Sequence, residues 1–187
     1  IAAETITRED YSSLPEYDAL FIRETTAVNH HTYRFSRRAY AEGLVVIDDP
    51  LSILRCTNKV YLAELLNIAG ISTPRTMIVH KDNMTSVEPT LGLPCILKKP
   101  DSSFSQGVVK VIDASELETT LRRLLKESDM VIAQEFLPTE FDWRIGVIDR
   151  MPLFACRYFM ARDHWQIYNW DAARPGARSG DVETVPL

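Results

Sequence analysis

The sequence predicts an α/β (α+β) protein that opens with a parallel α/β unit and continues with a different mixture of strands and helices. Three observations carry this. Short apolar runs at Tyr17 to Arg23 and Leu44 to Ile47 flank a helically spaced segment, Thr32 to Glu42, that stops at Gly43. From Arg75 onward the order becomes strand, loop, strand, helix, strand. Over 187 residues, 45% are hydrophobic and 25% charged, the balance of a globular chain able to bury a core.

Taken in order, the stretch up to about Glu16 is polar and unpatterned, and the two apolar runs after it read as buried strands. Residues 1–50 therefore form a partial α/β unit, and residues 51–187 a second domain. Ser52 to Ala69 is the longest helical candidate, with Val60, Ala63, Leu66 and Ile68 near one face and Gly70 ending it. Strands follow at Arg75 to Val79, Pro94 to Lys98 and Val108 to Ile112, the last two joined by the polar loop Lys99 to Gly107. Ser115 and Glu118 have capping-box spacing ahead of the stripe Leu117, Leu121, Leu124 and Leu125. Further strands are expected at Val131 to Phe136, Trp143 to Ile148 and Leu153 to Met160, with Asp149 to Pro152 joining the last pair. The tail from Trp170, rich in Ala, Arg, Gly and Pro, reads as a mobile loop.

Several function classes are disfavoured. A net charge of −5 argues against a dedicated nucleic-acid binder. Arg174 to Arg178 reads as a solvated or substrate-facing loop. No apolar run approaches the length of a membrane span. Cys56, Cys95 and Cys156 are odd in number and far apart, so they read as buried reduced thiols of a cytoplasmic protein. A metal or redox site built on His30, His31, His164 and the cysteines is disfavoured, because ligands usually come in tighter sets. His30-His31 reads as a solvated pair. Trp143 and Tyr158 fall in strands and read as core, whereas the roles of Trp165 and Trp170 stay open.

The chemistry-bearing pattern is Ile96-Leu97-Lys98-Lys99-Pro100-Asp101-Ser102-Ser103-Phe104-Ser105-Gln106-Gly107. There is no GxGxxG or GxxxxGK[ST], so neither a dinucleotide fingerprint nor a P-loop is present. A strand-end lysine beside small polar residues instead suits an anion held by one ammonium and several backbone amides. Alone, this loop reads as a surface hairpin with solvated lysines. Its neighbour Val131-Ile132-Ala133-Gln134-Glu135-Phe136-Leu137 changes that, since an apolar strand ending in an amide and a carboxylate could seat a purine and a ribose.

The order of Asn58-Lys59, Leu97-Lys98, the Ser102-to-Gly107 loop, Gln134-Glu135-Phe136-Leu137 and Asp142-Trp143-Arg144 resembles the ATP-grasp enzymes, and most closely the RimK-like alpha-L-glutamate ligases. The resemblance implies two lobes with a nucleotide between them, preceded by a partial parallel pre-grasp unit. It implies ATP and Mg²⁺ as cofactors, and an amino acid, possibly glutamate, joined to a carboxylate-bearing acceptor through an acylphosphate. A non-catalytic ATP-binding regulatory module is the alternative. Lys59 and Lys98 would contact the phosphates, with Ser102, Ser103, Ser105, Gln106 and Gly107 folding over them as a flexible lid. Gln134, Glu135, Phe136 and Leu137 would hold the adenine, with Glu135 at its amino edge, and Asp142 would reach a nucleotide hydroxyl. Arg144 and Arg157 would face the reaction site, and Asn169 lies near an ATP-contacting asparagine. A homo-oligomer is plausible by the same resemblance.

The departures are specific. Asn58 stands where an aspartate is typical, and serines replace lid glycines. The magnesium ligands are expected beyond Leu187, so the chain, which opens at Ile1 rather than a methionine, is expected to be a piece of a longer protein.

Overall fold

The computed structural model describes residues 1–102, 107–172 and 178–187. The chain divides into two compact units, Ile1–Ser102 with Val108–Glu135, and Ser103–Gly107 with Phe136–Leu187.

The first unit begins with a 3-10 helix, Arg8–Glu16, where the sequence looked unpatterned. Its start is closed by Thr7 and Asp10, each holding the other's backbone N–H, and its Leu14 is fully buried. Strands β1 (Ala19–Phe21) and β2 (Val45–Ile47) pair in parallel, Leu20 opposite Val46, with helix α1 (His31–Ala41) between them in the chain. The strands are shorter than the apolar runs and are not the buried strands expected, since Phe21 and Val45 are 63% and 67% exposed. Helix α1 ends as expected at Gly43, whose φ of +86° suits a residue without a side chain.

The expected long helix is two helices, α2 (Pro50–Thr57) and α3 (Lys59–Ile68). Asn58 separates them in an extended conformation, φ −93° and ψ 116°. Its side-chain oxygen accepts from the amides of Val60 and Tyr61 at 3.0 and 3.1 Å, so the residue that ends one helix caps the next. An apolar periodicity that continues across the junction hides this break. Asp49 likewise caps α2 through Leu51 and Ser52, with Pro50 at the first helical position.

Strands β3 (Thr76–Val79), β4 (Cys95–Lys98), β5 (Val108–Val111) and β6 (Val131–Glu135) form an antiparallel sheet in the order β3-β6-β4-β5. Directly paired residues share a face, and the register aligns parity across all four strands. Odd-numbered residues, including Val79, Cys95, Leu97, Val111, Val131 and Ala133, build the core with α4 (Val87–Leu91) and α5 (Ala114–Glu127). Even-numbered residues, Thr76, Lys98, Lys110 and Gln134 among them, take the other face. The leucine stripe of α5 is buried as expected, but its cap lies two residues earlier. Asp113 accepts from the Glu116 amide at 2.8 Å, and Glu116 accepts from the Ile112 amide at 2.9 Å.

The second unit holds an antiparallel sheet of β7 (Phe141–Ile148), β8 (Met151–Phe159) and β9 (Val182–Val185). Asp149 and Arg150, with φ of 46° and 64°, make the tight β7–β8 turn, while Met151 and Pro152 already belong to β8. Strand β9 lies within the tail expected to be a loop, and Val182-Glu183-Thr184-Val185 has the alternation of a short strand. Trp143 is 54% exposed and is not core. Of the cysteines, Cys95 and Cys156 are buried and all three are free, but Cys56 is exposed, contrary to the sequence reading. Burial pushes the Cys95 thiol up to about 11.

Replacing Asn58 with alanine removes the α3 cap and is expected to cost about 1 kcal/mol, read as a lower urea midpoint. Asn58→Ser, which keeps a capping oxygen, should lose less; equal losses would show that the cap is not what sets the junction.

Candidate functional site

The break at Asn58 places Lys59 at the first position of α3, against the start of the 99–107 loop. Three successive loop residues receive this junction. The Asn58 amide donates to Asp101 at 2.8 Å, the Lys59 backbone N–H donates to the Pro100 carbonyl at 2.9 Å, and the Lys59 ammonium donates to the Ser102 carbonyl. Ser102 turns its hydroxyl inward to the Lys99 carbonyl at 3.1 Å.

Lys98 ends β4 on the even face. Its ammonium donates to the Gln134 side-chain oxygen at 2.6 Å, and the Gln134 amide donates to the Thr76 hydroxyl at 2.8 Å. The Thr76 hydroxyl in turn donates to the Pro74 carbonyl at 2.7 Å. Every donor in this chain meets an acceptor in one direction only, which fixes the orientation of the Gln134 amide. Lys59 and Lys98 sense each other. Burial first, then the Lys98 charge, hold the Lys59 ammonium below the usual lysine range, with Asp101 opposing. Like charges gathered in a partly buried place favour an anion between them.

Glu135 does not join this group. Its odd parity turns it to the other face, where its carboxylate accepts from the Arg75 amide and guanidinium, each at 2.7 Å. These bonds hold the carboxyl below its ordinary range, the backbone bond contributing most. The side chain of Glu135, the residue expected at the amino edge of the adenine, is thus committed to Arg75, which leaves its main chain to face that edge.

In the second unit Phe136 meets the Trp165 ring edge-on at 6.0 Å, and Leu137 is exposed. Asp142 and Arg144 share one face of the β7–β8 pair, where Arg144 lies over the Tyr158 ring at 5.0 Å. Arg157 lies on the opposite face, paired with Trp143 and Glu183. The two arginines thus do not converge, contrary to the expectation that both face one reaction site; alternation along adjacent strands separates them. The Arg157 guanidinium stacks 5.3 Å over Phe141 and 5.4 Å over Trp143, its Nη1 is 3.5 Å from Glu183, and its buried Nε has no partner among the described residues. A buried donor of this kind suits an oxyanion. Asn169 binds the Asp171 amide through its side chain and pairs its backbone with Arg178.

Gly107 has a φ of +67°, a conformation that favours glycine. The expectations for Ser103, Ser105 and Gln106 lie outside the described residues. Sequence reasoning missed Arg75 and Thr76, which lock Glu135 and Gln134; neither lies in a motif, and only the register of β3 with β6 brings them there.

No family model matches the chain. The alpha-aminoadipate–LysW ligase LysX of Sulfolobus acidocaldarius is 31% identical over 116 residues, covering 60% of this chain and 40% of that protein. The chain thus spans less than half the length of this curated relative. Among solved structures, an ATP-grasp RimK domain protein of Sphaerobacter thermophilus matches with a TM-score of 0.64 at 16% identity, over 75% of this chain and 55% of that one. D-alanine–D-alanine ligase of Bacillus anthracis matches with a TM-score of 0.73 at 17% identity, over 98% of this chain and 60% of that one. By these structural matches the chain has the ATP-grasp fold, and in sequence it resembles the RimK-like and LysX amino-acid ligases.

Proposed function

We propose that this chain is part of an ATP-dependent carboxylate–amine ligase, joining an amino acid such as glutamate to a carboxylate-bearing acceptor. The observation that carries the reading is the Lys59 ammonium, held at the Ser102 carbonyl and close enough to Lys98, at the end of β4, for that charge to depress it. Lys59 and Lys98 would hold the triphosphate, with Mg²⁺ offsetting its charge, and Gln134 fixes the position of the Lys98 ammonium. Carboxylate oxygen attacks the γ-phosphorus and ADP leaves. Amine nitrogen then attacks the acyl carbon and phosphate leaves, so one C–N bond forms for one phosphoanhydride broken. Residues of the chain act by position and fixed charge.

Calorimetric titration with Mg–ATP should give saturable binding. Lys98→Ala should weaken it by about 10- to 150-fold, the worth of a charge-assisted hydrogen bond of roughly 1.5–3 kcal/mol. Undiminished binding by Lys98→Ala would overturn the assignment. In the full-length protein, ATP binding with no amino-acid-dependent ADP release would favour a regulatory module over a ligase.

Lys59 gives a second prediction, in protons. Its folded pKa lies below the model-compound value of 10.5, so the charged form burdens the fold at neutral pH, and that burden is relieved as pH rises through the lowered value. A phosphate beside it raises the pKa again. Between the two values, ATP binding takes up a proton, so the apparent enthalpy in alkaline buffers should vary with buffer ionisation enthalpy. In Lys59→Met this dependence should disappear.

A further inference from the structure

The loop between β1 and α1 carries a constellation that the ligase reading does not use. Glu24 lies three residues after the end of β1, and His30 and His31 stand at the cap and first position of α1. One ligating atom from each of the three lies within 4.8 Å of the others. The His31 Nε2 is 3.2 Å from Glu24 Oε2, and the two imidazole rings are 4.1 Å apart. In an open α/β arrangement, this edge beyond the strand carboxyl ends is where ligands commonly sit.

The second observation concerns which nitrogen of His30 is available. Its Nδ1 is 2.9 Å from the Thr32 hydroxyl, and that hydroxyl, on a residue only 3% exposed, donates to the Thr25 carbonyl at 3.2 Å. With the Thr32 hydroxyl donating to the Thr25 carbonyl, Nδ1–H donates to that hydroxyl and the Nε2 lone pair is left for a ligand. The Thr32 amide also points at Nδ1, at 3.4 Å, as the cap of α1 and favours the opposite tautomer, so a cation bound at Nε2 exchanges that cap contact for the bond to the hydroxyl. A ligand histidine held by a hydrogen bond from its far nitrogen is the usual outer arrangement of a metal site.

The geometry points to a divalent-cation site of the zinc class formed by Glu24, His30 and His31. Two imidazoles and one carboxylate match a tetrahedral borderline cation, with the fourth position open to water or to a ligand. The contact of 3.2 Å between His31 and Glu24 is close to the ligand–ligand edge of such a tetrahedron. Bound there, the cation ties the β1–α1 loop to the start of the helix. The ligase reading could fail without touching this one.

The test is titration of the chelator-stripped chain with Zn²⁺ by calorimetry and with Co²⁺ by visible absorption. One equivalent should bind, with tetrahedral Co²⁺ bands. His31→Ala should abolish the site, and His80→Ala should leave it intact. Thr32→Val, which keeps shape but removes the hydroxyl, should weaken binding by about 10- to 100-fold. Nitrogen-15 imidazole spectra of the unmutated chain give an independent readout, in which Zn²⁺ should shift His30 and His31 and hold His30 as the Nδ1–H tautomer. No uptake by the unmutated chain, uptake retained in His31→Ala, or shifts at His80 or His164 would overturn the proposal.

Discussion

The alternation of side chains along the four-stranded sheet is the constraint on which the rest depends. One register sends every odd-numbered residue of β3, β4, β5 and β6 to the helices and every even-numbered one to the opposite face. Packing of Val79, Leu97, Val111, Val131 and Ala133 on one side therefore also determines that Lys98, Gln134 and Thr76 meet on the other. The Lys98–Gln134–Thr76 chain needs no separate device to assemble it. Whatever holds the core in register holds the polar chain in register too.

The same alternation explains why two adjacent residues, both assigned to one purpose from the sequence, do different work. Gln134 orients a lysine, while Glu135 clasps Arg75 and fastens the end of β6 to the entry of β3. In the second unit it parts Arg144 from Arg157. A linear motif records neighbours along the chain, and in a strand such neighbours point apart. Motif reading groups side chains that the strand sends to opposite faces.

Much of the fold was legible because its signals are local. The leucine stripe of α5, the apolar strands at Val131 and Leu97 and the stop at Gly43 are all read from spacing or from a single residue type. What escaped depends on pairing over distance or on a conformation that hydrophobicity does not report. Asn58 breaks a helix without interrupting its apolar pattern, and β9 earns its place only by pairing with β8. Arg75 and Thr76 matter through partners some sixty residues away. The His30 ring is held by a threonine two positions later that no ligand-spacing rule examines.

The junction at Asn58 bears on how such a site drifts over generations. Two of its three links to the 99–107 loop end on carbonyl oxygens, those of Pro100 and Ser102, which every amino acid possesses. Substitutions at those positions can accumulate without loosening the lysine, so long as the backbone path is kept. The anchoring of Lys59 is inherited as a shape of the main chain, which substitution records leave largely unwritten.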